Sequence, residues 1–348
     1  MLKFIIKVTL ASFILKTSFL MAQSQAINNK NLDIKLVATS APSQISIGLN
    51  STNILHVGLY VAKHKGYFKN NNLKLKVLTN QSKSALELVI SGKIDFAFTP
   101  SDRVILLRDQ GVPLIAVAAV LQEDPIFLAY KGPEKFKNFS SLSHKTWGLW
   151  GSKIEIKLTE YWLRTARIDI KRIKRQYILN KDLVNGFIRG ADFVFMRKGW
   201  EGLNAVQKGI PLTFISTSRL PVVLTFPQLV VVTRESFAKN HPDEIRRFLK
   251  SLAEGYYIAQ ERPQETAAIF MLYAPYSNRK LVLNSAKYYS PLFIKNNPYW
   301  GKIETFNWNK LVSWMETQGI IQVVRKNKRR GYTNLFLTSD INKDDLWN

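Results

Sequence analysis

The chain has 348 residues, 46% of them hydrophobic, with 50 Lys and Arg against 25 Asp and Glu and no cysteine. That length and apolar content exclude a disordered or fibrous chain and suffice for two lobes of ordinary size, and the missing cysteines exclude disulfides, thiolate metal sites and a lipidated cysteine anchor. The net charge of +25 could draw nucleic acid, anionic lipid or an anionic solute. Its lysines are spread through amphipathic stretches among many asparagines, however, which reads as a solvated surface and not as a nucleic-acid face.

Residues 1–26 have a basic start at Lys3 and Lys7, an apolar run, and small residues at Ala22, Ser24 and Ala26, the pattern of a secretory signal peptide. Lys16 interrupts the run short of the ~20 residues that cross a bilayer, so a periplasmic destination is expected. Residues 27–43 are polar and read as a linker or as a peripheral strand around Ile34-Lys35-Leu36-Val37. A strand is predicted over 45–49, followed by a turn at Asn50-Ser51-Thr52-Asn53 and a helix over 54–65 ended by Gly66.

One supersecondary unit then occurs twice. The first copy runs from Ser84 to Gly92, through Asp95 to Phe98, and on to Gly111-Val112-Pro113 and an apolar strand. The second runs from Asp182 to Gly190, through Asp192 to Phe195, and on to Trp200-Glu201, Gly209-Ile210-Pro211 and another strand. Each reads as helix, glycine cap, buried strand, helix, glycine cap, strand, a right-handed βαβ arrangement on a parallel sheet, with Asp95 and Asp192 as architectural residues. Two such lobes imply a cleft, toward which residues 99–102 and 196–201 should point, as in a closing clamp. The extended run 228–233 is predicted to pair with 127–130 as a return strand, making a two-strand hinge. His241-Pro242-Asp243-Glu244 starts a helix with proline in the first turn and acids at the positive dipole end. The helical, aromatic remainder should pack mainly on the first lobe, and the basic cluster 325–330 is a candidate surface contact for a membrane or a partner, with no role assigned to it by the sequence. The expected organisation is 1–26 signal peptide, 27–43 linker, 44–128 and 229–340 lobe one, 129–228 lobe two, and 341–348 tail.

Several of these stretches together resemble one family. Ile54-Leu55-His56-Val57-Gly58-Leu59-Tyr60, Lys65-Gly66-Tyr67-Phe68, Ser91-Gly92-Lys93-Ile94-Asp95 and Asp124-Pro125 resemble the solute-binding proteins of nitrate, sulfonate and thiamine-precursor transporters. Trp147-Gly148-Leu149-Trp150-Gly151-Ser152, the Gly199-Trp200-Glu201 turn, Phe306-Asn307-Trp308 and residues 314–321 are most similar to the branch of the fungal thiamine pyrimidine synthases and their bacterial periplasmic relatives. The resemblance spans about residues 45–337. It implies an α/β, two-lobed type II periplasmic binding fold that closes around a small heteroaromatic compound and delivers it to an ABC-type permease and ATPase. It also implies a monomer without a cofactor. A sulfonate, taurine-like or other oxyanion ligand on the same fold, a periplasmic sensory module without transport, and a secreted enzyme on the same scaffold are the alternatives. Relatives usually carry an aromatic after the first strand, where Asn50-Ser51 stands here, and the tyrosine of their Tyr-Asn-Glu turn corresponds to Gly199. The fungal synthases depend on a cysteine-rich motif, so a chain without cysteine and without a recognised nucleophile motif is expected not to be an enzyme.

Glu201 is either the paired acceptor for an amino-pyrimidine edge or an ordinary first-turn acid complementing the helix dipole. Trp200 and Trp150 are either stacking faces for a ligand ring or packing pieces. His56 and Tyr60 lie one helical turn apart and share a face. Asn50 and the serines Ser82, Ser84 and Ser101 precede or open helices, where they either present polar groups to a ligand or serve as caps. Four histidines scattered along the chain give no metal constellation.

Overall fold

The computed structural model describes residues 41–50, 52–79, 82–121, 126–132, 138–178, 182–216, 226–295, 299–322 and 331–338. The expected signal peptide, Asp124-Pro125 and the basic cluster 325–330 lie outside the described residues.

Short apolar runs bounded by glycine turns make two five-stranded sheets. Strands β1 (Ser43–Leu49), β2 (Leu73–Thr79), β3 (Phe96–Thr99) and β4 (Leu114–Leu121) form the first with a late strand, β10 (Leu229–Arg234), in the order β2-β1-β3-β10-β4. Strands β5 (Ile126–Lys131), β6 (Thr146–Leu149), β7 (Lys174–Tyr177), β8 (Phe193–Arg197) and β9 (Leu212–Ser216) form the second, in the order β7-β6-β8-β5-β9. The two orders are the same pattern.

The repeat is present in both lobes. Helix α3 (Ala85–Ile90) precedes β3 and α4 (Ser101–Asp109) follows it; their counterparts around β8 are α6 (Leu183–Ile188) and α7 (Leu203–Gln207). Other helices of the described residues are α1 (Val57–His64), α2 (Tyr67–Asn70) and α5 (Lys153–Thr165) before the return to the first sheet. After it come α8 (Glu235–Asn240), α9 (Pro242–Glu261), α10 (Pro263–Tyr273), α11 (Arg279–Tyr289) and α12 (Thr305–Thr317). The four repeat glycines, Gly92, Gly111, Gly190 and Gly209, all have φ between 77° and 109°, the left-handed conformation that ends a helix without a Cβ penalty. Asp95 accepts hydrogen bonds from the Ser46 amide (2.9 Å) and hydroxyl (2.7 Å), and Asp192 accepts one from the Thr146 amide (2.7 Å). Each aspartate thus ties the start of its strand to the neighbouring parallel strand.

Strand pairing departs from expectation in one respect. The strands of each repeat are not adjacent, because an antiparallel strand lies between them: β10 between β3 and β4, and β5 between β8 and β9. The run 228–233 therefore does not pair with 127–130. Each strand that arrives from the other lobe fills the gap between the two repeat strands of its new sheet, one place in from the edge. Such an interior position is paired on both sides, which suits the buried run from Leu229 to Thr233. The segments linking the sheets, 122–125 and 217–225, lie outside the described residues.

Helices α1 and α9 cross at two glycines. Gly255 lies directly on the Gly58 carbonyl, and Gly58 lies under the ring of Tyr256. Tyr256 donates to the Leu55 carbonyl at 2.7 Å and stacks on Trp300 with ring centroids 4.6 Å apart. Helix α12 packs against both lobes, since its Trp308 and Met315 are buried in a core shared with β3, β4, β6 and β8, and Trp314 meets the edge of Tyr161 of α5 at 5.9 Å. No helix among the described residues is long and apolar enough to cross a membrane.

Candidate functional site

Four segments that follow strand ends carry expected site residues: the turn after β1, the start of α4 after β3, the turn after β6, and the segment after β8. In the first lobe, Asn50 Oδ1 accepts from the Ala85 amide (2.7 Å), so its side chain is committed to the start of α3. Ser84 forms a capping box with Glu87: the Glu87 amide donates to Ser84 Oγ (3.2 Å) and the Ser84 amide donates to Glu87 Oε2 (2.9 Å). Ser82 is exposed. Ser101 is the first residue of α4, after Pro100 at the cap, and its buried hydroxyl donates to the Pro227 carbonyl at 2.5 Å. His56 is buried in a 3-10 turn, with its ring 4.7 Å from that of Phe98. Tyr60 goes to different neighbours, stacking on Tyr273 (4.9 Å) and meeting the edge of Phe270 (5.7 Å).

Asp102 occupies the first turn of α4 and accepts from its own amide and that of Arg103. Its carboxyl pKa is raised, chiefly by lost hydration; those hydrogen bonds and the nearby Arg197 and Arg103 pull in the opposite direction. Arg197 is the last residue of β8, so its charge acts on Asp102 from the other expected turn, across the two lobes. A raised carboxyl pKa means that ionisation opposes folding: the contribution to stability is full below the unfolded pKa and is lost as pH rises through the folded value. Asp102→Asn should therefore raise the melting temperature at pH 7, with the gain shrinking to nothing below the ordinary carboxylate range. Melting curves from pH 3 to 8 check this, and a gain independent of pH would assign the effect to packing alone.

In the second lobe, Trp150 and Gly151 form the turn between β6 and α5. Glu155 caps that turn from within the helix, accepting from the Trp150 amide (2.9 and 3.0 Å at its two oxygens) and the Gly151 amide (2.9 Å), while Ser152 accepts from the Glu155 amide (3.1 Å). The Trp150 ring is half-buried against the second lobe's core, with its Nε1 buried and without a partner among the described residues. After β8 the backbone makes one π-helical turn, Lys198–Gly202, before α7. Such turns displace side chains from the regular helical face and are frequent at functional sites. Trp200 leans out of this turn onto the first lobe's core and meets Phe270 edge-on at 6.4 Å. Glu201 is half-buried, and its Oε2 is sealed from solvent with no hydrogen-bond partner among the described residues. A buried carboxylate oxygen without a donor is costly unless a donor arrives.

Sequence reasoning missed Glu155, although Ser152-x-x-Glu155 is a local capping signature. It also missed Arg197 and Tyr289. No local pattern marks either. A Cβ on Gly199 would overlap the rings of Tyr288 and Tyr289 at the end of α11, so the place next to Gly199 is filled by aromatic rings from the first lobe.

The family model described as NMT1/THI5 like matches residues 53–266. The chain is 24% identical over 309 residues, 83% of this chain and 85% of the relative, to the 4-amino-5-hydroxymethyl-2-methylpyrimidine phosphate synthase of Aspergillus parasiticus. It is 21% identical over 284 residues, 76% of this chain and 82% of the relative, to the formylaminopyrimidine-binding protein of Halalkalibacterium halodurans. Among solved structures, the periplasmic aliphatic sulphonate-binding protein of Escherichia coli superposes with a TM-score of 0.66 at 14% identity, covering 83% of this chain and 92% of that one. The periplasmic nitrate-binding protein of Synechocystis does so with a TM-score of 0.65 at 13% identity, covering 88% and 87%. These similarities show the two-lobed periplasmic binding fold. They also correct the expectation that the chain is not an enzyme: relatives from Aspergillus, Saccharomyces and Uromyces, similar over most of the chain or more than half of it, are named as synthases.

Proposed function

Because the chain belongs to the NMT1/THI5-like family, we propose that it binds an amino-substituted pyrimidine between its lobes outside the cytoplasm and hands it to an ABC-type permease. The observation that carries this reading is the acidic character of the site. An oxyanion receptor offers free amides at helix N-termini. Here the Ser84 amide before α3, the Asp102 and Arg103 amides of α4, and the Trp150 and Gly151 amides before α5 already donate to the chain's own Glu87, Asp102 and Glu155. A sulfonate or nitrate would meet a carboxylate beside each of these helix starts. A ring that donates from an amino group meets no such obstacle, and Glu201 Oε2, buried without a donor, is the acceptor it would satisfy. The pyrimidine itself is suggested by the names of the synthase and formylaminopyrimidine-binding relatives.

The test is a melting-temperature screen of the purified chain with formylaminopyrimidine, 4-amino-5-hydroxymethyl-2-methylpyrimidine, an alkanesulfonate and nitrate. A ligand at a hundredfold its Kd adds about 2.7 kcal/mol to stability, a rise of several degrees. The expected result is a rise with a pyrimidine and none with either oxyanion. The reverse pattern would replace this reading with the oxyanion one. Uptake of the bound pyrimidine by cells carrying or lacking the gene tests delivery.

A further inference from the structure

We infer that α11 is an interlobe clasp that holds the Glu201 segment against the first lobe before any ligand binds. Segment 198–207 belongs to the second lobe, yet it is pinned to first-lobe helices at three places. Near its start, the absence of a side chain on Gly199 lets the rings of Tyr288 and Tyr289 of α11 lie directly on the π-helical turn. Next to it, Trp200 crosses to Phe270 of α10. At its far end, Gln207 Nε2 donates to Asn278 Oδ1 at 2.9 Å. That oxygen also accepts from the Leu281 amide at 3.0 Å as the N-cap of α11, so the cap fixes the acceptor before the lobes meet.

These contacts involve no ligand atom, so they favour the closed arrangement in the empty protein. A binder that already populates its closed form loses little affinity to the conformational step. Its ligand must then enter through a minor open state, which slows association. The inference needs only the two lobes and stands whichever ligand the site takes.

The chain's lack of cysteine makes the test direct. Spin labels on Ile90→Cys and Ile188→Cys, exposed positions that correspond in the two repeats, report the interlobe distance in the ligand-free full chain. The expected result is one dominant short distance. Gln207→Ala should raise the open fraction about fivefold, the value of one modest hydrogen bond. Asn278→Ser keeps a helix-capping hydroxyl on a side chain too short to span to Gln207, and should do the same. Asn278→Asp keeps the acceptor and should leave the distribution unchanged, which separates clasping from capping. A broad or long distance in the parent chain, or a short one that neither Gln207→Ala nor Asn278→Ser alters, overturns the inference. Melting curves of the same variants show whether each is folded, and a variant that melts lower with an unchanged distance also counts against it.

Discussion

Gly255→Ala should destabilise the protein by about 3 kcal/mol or more, the upper end of the usual cost of overpacking. The added methyl would fall on the carbonyl oxygen of Gly58, closer than real Cβ atoms come, and would also crowd Ala62. A backbone carbonyl inside a helix cannot rotate away as a side chain can, so the only relief is to part α1 from α9. That separation would break the Tyr256 hydrogen bond to Leu55 and loosen the 3-10 turn that carries His56. Gly111→Asn is the contrast. Gly111 has a φ of 85° with open space around it, and asparagine tolerates that conformation, so the cost should stay near about 1 kcal/mol. Urea unfolding of both variants measures the difference. Equal costs would mean that left-handed backbone, and not close approach, is what these glycines supply.

Glu201→Gln should weaken pyrimidine binding by about 2 kcal/mol, roughly thirtyfold, while leaving the ligand-free protein as stable as before or slightly more so. The substitution keeps the shape and replaces one acceptor by a donor that faces the ligand's own amino group. It removes nothing from the empty protein's hydrogen bonding, because Oε2 makes no hydrogen bond among the described residues. Titration calorimetry and melting curves read the two quantities separately. Unchanged affinity with unchanged stability would move the acceptor role away from this turn, and a stability loss equal to the affinity loss would make Glu201 a packing residue.

Some of this was legible in the chain because the signals are local. A glycine that ends a helix announces itself by what precedes and follows it, so the two copies of the repeat, with Gly92, Gly111, Gly190 and Gly209 left-handed, could be read residue by residue. The capping box at Ser84 is likewise a matter of four consecutive residues. The resemblance of separated motifs extended this to the two-lobed fold, which the structural neighbours show. Ser101 shows where local reading stops. The sequence marks it as a helix start, but only the folded chain commits its hydroxyl to Pro227, 126 residues away.

By itself, then, the sequence determined the glycine caps, the duplicated unit and the proline-and-acid start of α9, since all of these rest on neighbours within a few positions. Only the tertiary structure decided which strand separates the two strands of each repeat. The apolar run of β10 is compatible with any interior position, and closing a long loop costs little more free energy than closing a medium one, so chain distance gives no preference among partners. The site was decided in the same way. Gly199 and Tyr289, and Gln207 and Asn278, meet only because two separately legible lobes face each other, and no pattern within either partner's neighbourhood encodes the other.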